Sequence, residues 1–239
     1  MNSYEQFARN ELDTWKMKMT KRSGVFSRTS KKIQGKVNGY IPGKIHAVIT
    51  DSMRNLVKAV LAGSEFTTKE KDVSMLSLEE KEKLVREKIA SYRKTAAIEG
   101  AGTGAGGVFL GLADFPLLLS IKMKFLFEAV SLYGFDVKSY DERLFILHIF
   151  QLAFSSDEKR EDTLMILENW EEYKGKLADM DWRVFQQVYR DYIDLVKMLQ
   201  LVPGIGAVVG AYANYNLVQQ LGETAINCCR MRLLTEDQY

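Results

Sequence analysis

Apolar residues recur along most of this chain at steps of three and four, the spacing that lines them up on one side of a helix. Ile45, Val48, Ile49, Met53, Leu56, Val57, Val60 and Leu61 form one such stripe, with Pro42 just before it and Gly63 just after it, as expected for a helix start and stop. Residues 65–75 are polar and read as a loop. Ser77 and Glu80 have the spacing of a capping box, opening a helix through Val85, Ile89, Tyr92 and Ala96, and Ser139 with Glu142 repeats the signature before Leu144, Leu147 and Phe150. Leu164, Leu167 and Trp170 lie on one side of an otherwise charged stretch, and Asp181 is placed to cap a helix whose face is Trp182, Phe185, Tyr189, Tyr192, Val196 and Leu199. No stretch alternates with a period of two between hairpin turns. The pattern predicts an all-α protein: a single compact domain of about eight helices over residues 45–239, preceded by a basic N-terminal helical arm over residues 1–44. Only three prolines in 239 residues agree with long helices.

Charge changes that picture in one place. The whole chain is nearly balanced, with 33 Lys and Arg against 31 Asp and Glu. Residues 14–50, however, hold no acid and nine cations: Lys16, Lys18, Lys21, Arg22, Arg28, Lys31, Lys32, Lys36 and Lys44. The remainder is then acidic by seven charges. A basic segment on an acidic body points to a polyanionic partner for the segment. Trp15, Met17, Met19, Val25 and Phe26 are interleaved with the cations, which suits shallow insertion at an anionic membrane surface. The plain alternative is a solvated basic helix whose apolar residues pack on the body. No nucleic-acid module is recognisable, and no nucleic-acid partner is expected.

Glycine is concentrated in two apolar stretches. Gly100, Gly102, Gly104, Gly106, Gly107 and Gly111 fall within twelve positions, and Gly206 and Gly210 repeat the four-residue spacing further on. Each glycine inside a helix costs roughly 1 kcal/mol against alanine, and glycines four apart clear one helix face for a close neighbour. The two stretches, 100–113 and 201–213, are therefore expected to pack on each other as tight inner helices. They are 14 and 13 residues long, short of the roughly 20 that a membrane span needs. Gly102, Gly104 and Gly107 also match G-x-G-x-x-G, but a helix rather than a strand precedes them, so the dinucleotide reading loses its context. Glu99 and Asp114 flank the stretch; they read either as a polar boundary and an N-cap or as a pair of functional carboxylates. Asn214 and Asn216 interrupt the second stretch and are placed to bond across a helix interface.

Other chemistry is sparse. His46 and His148 are the only histidines, and Cys228 and Cys229 are adjacent. Neither set has zinc-ligand spacing, and neighbouring cysteines make no disulfide framework. His148 in LFILHIFQL reads as a satisfied core residue. No catalytic residue, metal or cofactor is expected.

The segments EGAGTGAGGVFLGLADFP at 99–116, LHIFQLAFSS at 147–156, and LVPGIGAVVGAYANYNLVQQLGETAINCCRMRLL at 201–234 resemble the EcsC family of bacterial proteins, over roughly residues 5–234. The resemblance implies a cytoplasmic helical protein whose gene is associated with an ABC transporter involved in secretion and competence. It implies no reaction and no catalytic residues.

Three functions follow as expectations. The first is a non-enzymatic accessory protein at the cytoplasmic membrane face, with an anionic membrane surface or an ABC transporter as partner. The second is a helical binding protein for a lipid or other hydrophobic ligand, around Glu99, Gly102, Gly106, Asp114, Gly206, Gly210 and Asn214. The third is a hydrolase using Glu99 and Asp114.

Overall fold

The computed structural model describes residues 2–20, 43–63, 66, 71–105, 115–155, 157–175 and 206–236. Among these residues there are eight helices and no strand: α1 Ser3–Thr20, α2 Gly43–Ala62, α3 Leu78–Ala105, α4 Phe115–Leu132, α5 Tyr140–Phe154, α6 Asp157–Glu168, α7 Trp170–Tyr173 and α8 Gly206–Glu236. The expected helix over the 181–199 face lies outside the described residues.

Local sequence sets most of the ends. The Ser77 hydroxyl accepts from the Glu80 amide, and the Glu80 carboxylate accepts from the Ser77 amide at 2.8 Å, the reciprocal capping box that the spacing predicts. At α5 only half of the box forms. Ser139 accepts from the Glu142 amide, but the Glu142 carboxylate turns away to pair with Arg232 at 2.6 Å, because a charge-assisted partner outbids a neutral amide. Gly63 and Gly134 end α2 and α4 with φ of +73° and +97°, a conformation in which a β-carbon is strained.

The core forms around α5, which is apolar all round and buried from Leu144 to Phe150. Helices of that kind are central rather than peripheral. The most extensive contact is between α3 and α8. Glu82 meets Arg230, Arg86 lies beyond it, and Arg93 meets Gln219, so the two helices run antiparallel. Lys81 reaches the Tyr133 carbonyl, Lys88 pairs with Glu128 and Tyr92 packs on Phe125, which makes α3 and α4 antiparallel as well. The α3–α8 contact brings together the two helices that carry glycine-rich stretches. A glycine that the four-residue spacing does not flag also makes a close approach: a β-carbon at Gly222 of α8 would lie 2.5 Å from Cδ1 of Ile89 of α3.

α1 is held to the body through Ala8 and Leu12, both in the core, with Trp15 and Met19 packed against it. Tyr4 donates to Glu82 at 2.7 Å, and Arg9 donates to the Leu234 carbonyl.

Candidate functional site

Two charged clusters are built into the helix interfaces. Arg230 is almost fully buried, and its guanidinium donates to both oxygens of the fully buried Glu82 at 2.6 Å and to Glu11 at 2.9 Å. Arg86 lies 3.6 Å from the Glu82 and Glu11 carboxylates, and Tyr4 closes the cluster. Burial opposes the Arg230 charge, but the Glu82 bonds outweigh it and hold the guanidinium more firmly protonated than in water. The second cluster is Arg232, bidentate to Glu142 at 2.6 and 2.8 Å, bonded to Glu171 at 2.8 Å, and stacked on the Phe135 and Phe145 rings. Planar bidentate geometry of this kind fixes register between elements. Here it locks α8 to α1, α3, α5 and α7.

A third polar group is different in kind. Lys122 of α4 is 2% exposed. Its ammonium donates to the Asn214 side-chain oxygen at 3.3 Å and to the Leu118 carbonyl at 3.4 Å, both long for such bonds. No described carboxylate faces it, and burial lowers its pKa from the ordinary lysine range to about 8. His148 is buried with Nδ1 2.8 Å from the Leu144 carbonyl, and burial lowers its pKa; it is a satisfied core residue. Cys228 and Cys229 are free thiols at 0% exposure, and burial pushes both thiol pKa values up, which makes them poor nucleophiles. Among the described residues no group of three His, Cys, Asp or Glu is placed to hold a metal ion. No helix is long and apolar enough to cross a membrane, again among the described residues.

The residues singled out in the sequence are distributed as follows. Glu99 is half-buried near the end of α3, Gly102 lies on the last turns of that helix, and Gly206 and Gly210 open α8. Asn214 is buried and does bond across the α4–α8 interface. Asn216 is exposed and donates to the Tyr212 carbonyl of its own helix, so its expected cross-interface bond is replaced by a local one. Gly106 and Asp114 lie outside the described residues, as do Lys21, Arg22, Arg28, Lys31 and Lys32. Lys16 pairs with Glu168 at 3.1 Å, while Lys18 is exposed. Phe7, Glu11, Trp15, Lys18, Arg86 and Arg230 border an open cavity of about 440 Å³ between α1, α3 and α8.

Lys122 and Arg230 were not singled out in the sequence. The visible signal is a cation inside an otherwise apolar helical run, IKMKFLF for Lys122 and NCCRMRLL for Arg230 and Arg232; a charge in such a run is either paired inside or faces out, and spacing alone does not say which.

The EcsC protein family model matches residues 6–234. The chain belongs to the EcsC family. Protein EcsC of Bacillus subtilis (strain 168) is 55% identical over 231 residues, covering 97% of both chains. The uncharacterized protein YdbA of the same organism is 33% identical over 145 residues, covering 59% of this chain and 53% of that one. No solved structure matches. All of the described helices therefore fall within the EcsC match except the first few residues of α1 and the last of α8.

Proposed function

We propose that this EcsC-family protein is a non-enzymatic accessory protein that attaches reversibly to the inner face of the cell membrane. The observation that carries the reading is the segregation of charge: nine cations and no acid over residues 14–50, against an acidic remainder. Each basic residue that reaches an anionic leaflet contributes about 1 kcal/mol, within a Debye length of the surface. Lys16 is engaged with Glu168, so the attachment rests on Lys18 and the cations after it. An ABC transporter, which the family resemblance brings in, is the class of membrane partner such a protein would meet there.

The chemistry of the buried groups agrees with a non-catalytic role. General acid–base work needs a group that titrates near the working pH and reaches solvent. Lys122, with its pKa lowered to about 8, is sealed between helices and His148 is buried in the core, while the carboxylates Glu82 and Glu142 are tied to arginines.

The test is co-sedimentation of the full chain with vesicles of phosphatidylcholine and phosphatidylglycerol. Binding is expected at low salt, weaker at high salt and absent on pure phosphatidylcholine. Replacing Lys18, Lys21, Arg22, Lys31 and Lys32 by Gln should release the protein at unchanged melting temperature. Binding indifferent to salt, lipid charge and these substitutions would refute the electrostatic mechanism.

A second reading is a hydrophobic-ligand carrier. It draws on a cavity of about 250 Å³ between α2 and α4, where Leu56, Phe66 and Leu119 meet Ser52, Asn55 and Ser120. Organic-solvent extraction of the purified protein followed by mass spectrometry checks it: a stoichiometric lipid favours the carrier.

A further inference from the structure

Four helix termini meet at one end of the bundle. The antiparallel contacts of α3 with α4 and with α8 place the C-terminus of α3 beside the N-termini of the other two. α2 runs alongside α4 in the same direction, with Ser52 near Pro116 and Phe66 stacked on Phe127 at 5.4 Å, so its N-terminus points to the same end. That end carries an unusual surface. Ile98 of α3 is 72% exposed, Leu117 of α4 47%, and Tyr212 and Tyr215 of α8 72% and 37%.

Single exposed apolar residues are ordinary on a soluble surface, but large ones from three helices at one level concentrate apolar surface at this end. Just below this level lie cations. The Arg93 guanidinium covers the Tyr215 ring at 3.7 Å, and Lys94 and Lys124 are exposed on the outside of α3 and α4. Among the described residues the nearby acids are the half-buried Glu99 and Asp51, the latter 3.9 Å from Arg54.

From the structure we infer that this end of the bundle is the surface that seats on an anionic phospholipid bilayer, with Ile98, Leu117 and Tyr212 in the interfacial layer and Arg93, Lys94 and Lys124 at the headgroups. The inference rests on the membrane reading above and adds which face is turned to the lipid. Tyrosine is favoured at headgroup depth, with its ring in the apolar layer and its hydroxyl in water. Long basic side chains lay their stems on apolar surface and raise their charges to the phosphates. The opposite end carries Lys71, Asp72, Lys81 and Asp136 around an open cavity, and Met75 there is 92% exposed. With no described helix able to span, insertion is shallow, as for an interfacial helix end.

The experiment attaches an environment-sensitive nitrobenzoxadiazole dye to Ile98→Cys, Tyr212→Cys and, as the far-end control, Met75→Cys in the full chain. The native Cys228 and Cys229 are fully buried and stay unlabelled. On adding phosphatidylcholine–phosphatidylglycerol vesicles, dye at 98 and 212 should brighten several-fold, shift to the blue and be quenched by spin-labelled lipid, while dye at 75 stays unchanged. Ile98→Glu with Tyr212→Glu should weaken vesicle binding several-fold at unchanged melting temperature, since both side chains face water. Co-sedimentation with equal or larger dye changes at 75, or none at 98 and 212, overturns the proposed orientation while leaving membrane attachment standing. Failure to co-sediment with these vesicles at all overturns both.

Discussion

Gly222 of α8 faces Ile89 of α3 so closely that a β-carbon on the glycine would stand 2.5 Å from Cδ1 and 2.6 Å from Cγ1 of the isoleucine. The contact lies on the most extensive helix pair, between the Glu82–Arg230 and Arg93–Gln219 contacts and nearer the second. Alanine is the better helix former by roughly 1 kcal/mol, yet overpacking a fitted interface costs about 1–3 kcal/mol. Gly222→Ala is therefore expected to lower the melting temperature by a few degrees, and Gly222→Leu by much more. Ile89→Ala removes both of these atoms, so the alanine penalty should shrink in that background. Equal penalties in both backgrounds, measured by thermal denaturation, would show that Ile89 is not what limits this position.

Lys122 should destabilise the fold at neutral pH. Its pKa of about 8 lies below the unfolded value near 10.4, so between these limits the unfolded chain holds more protons and stability rises with pH. The shift corresponds to a penalty on the order of 3 kcal/mol, present in full below about pH 8 and relieved above pH 10.4. Lys122→Met, which keeps the length and drops the charge, is expected to be more stable than the parent at pH 7. The advantage should narrow between pH 8 and 10.4, as read by chemical denaturation at each pH. A methionine variant that is less stable at pH 7 would mean that the ammonium has a strong partner.

The Glu82–Arg230 pair should show strong non-additivity. Removing one member leaves a buried charge without its partner, at a cost of about 3–5 kcal/mol. Glu82→Leu and Arg230→Met are each expected to be severely destabilised, with the double variant closer to the parent than either single one. Glu11, Arg86 and Tyr4 border the cluster, so some loss should remain. Additive losses in a double-mutant cycle would contradict a direct coupling.

His148 sets an acid limit. Burial holds its pKa below the ordinary histidine value of 6.5, so its contribution to stability is present above pH 6.5 and is lost as pH falls toward the folded value. His148→Phe keeps an aromatic ring beside Trp170, which packs 5.6 Å from the imidazole, and cannot take up a proton. Relative to the parent, this variant should gain stability as pH is lowered from 7 to 5. Parallel pH profiles for the two proteins would remove His148 as the acid-sensitive group.

The helical class and several boundaries follow from the pattern along the chain, because these depend on neighbours three and four residues apart. The apolar stripe from Ile45 to Leu61 became α2, and the Ser77–Glu80 spacing became a reciprocal cap. The charge segregation over residues 14–50 is likewise a property of composition. Relationships between residues far apart in the chain come instead from how the helices pack. Glu142 has the spacing of a capping residue, yet the arginine ninety positions later, Arg232, draws its side chain away. Cations in apolar runs look alike in sequence, but Arg230 meets two carboxylates from other helices and Lys122 meets none among the described residues. Gly222 stands outside the glycine-rich runs, and its need to be glycine comes from Ile89 on another helix. The exposed end made by Ile98, Leu117 and Tyr212 has the same origin: each residue is unremarked in its own helix, and the antiparallel packing of α3 with α4 and α8 brings the three to one level.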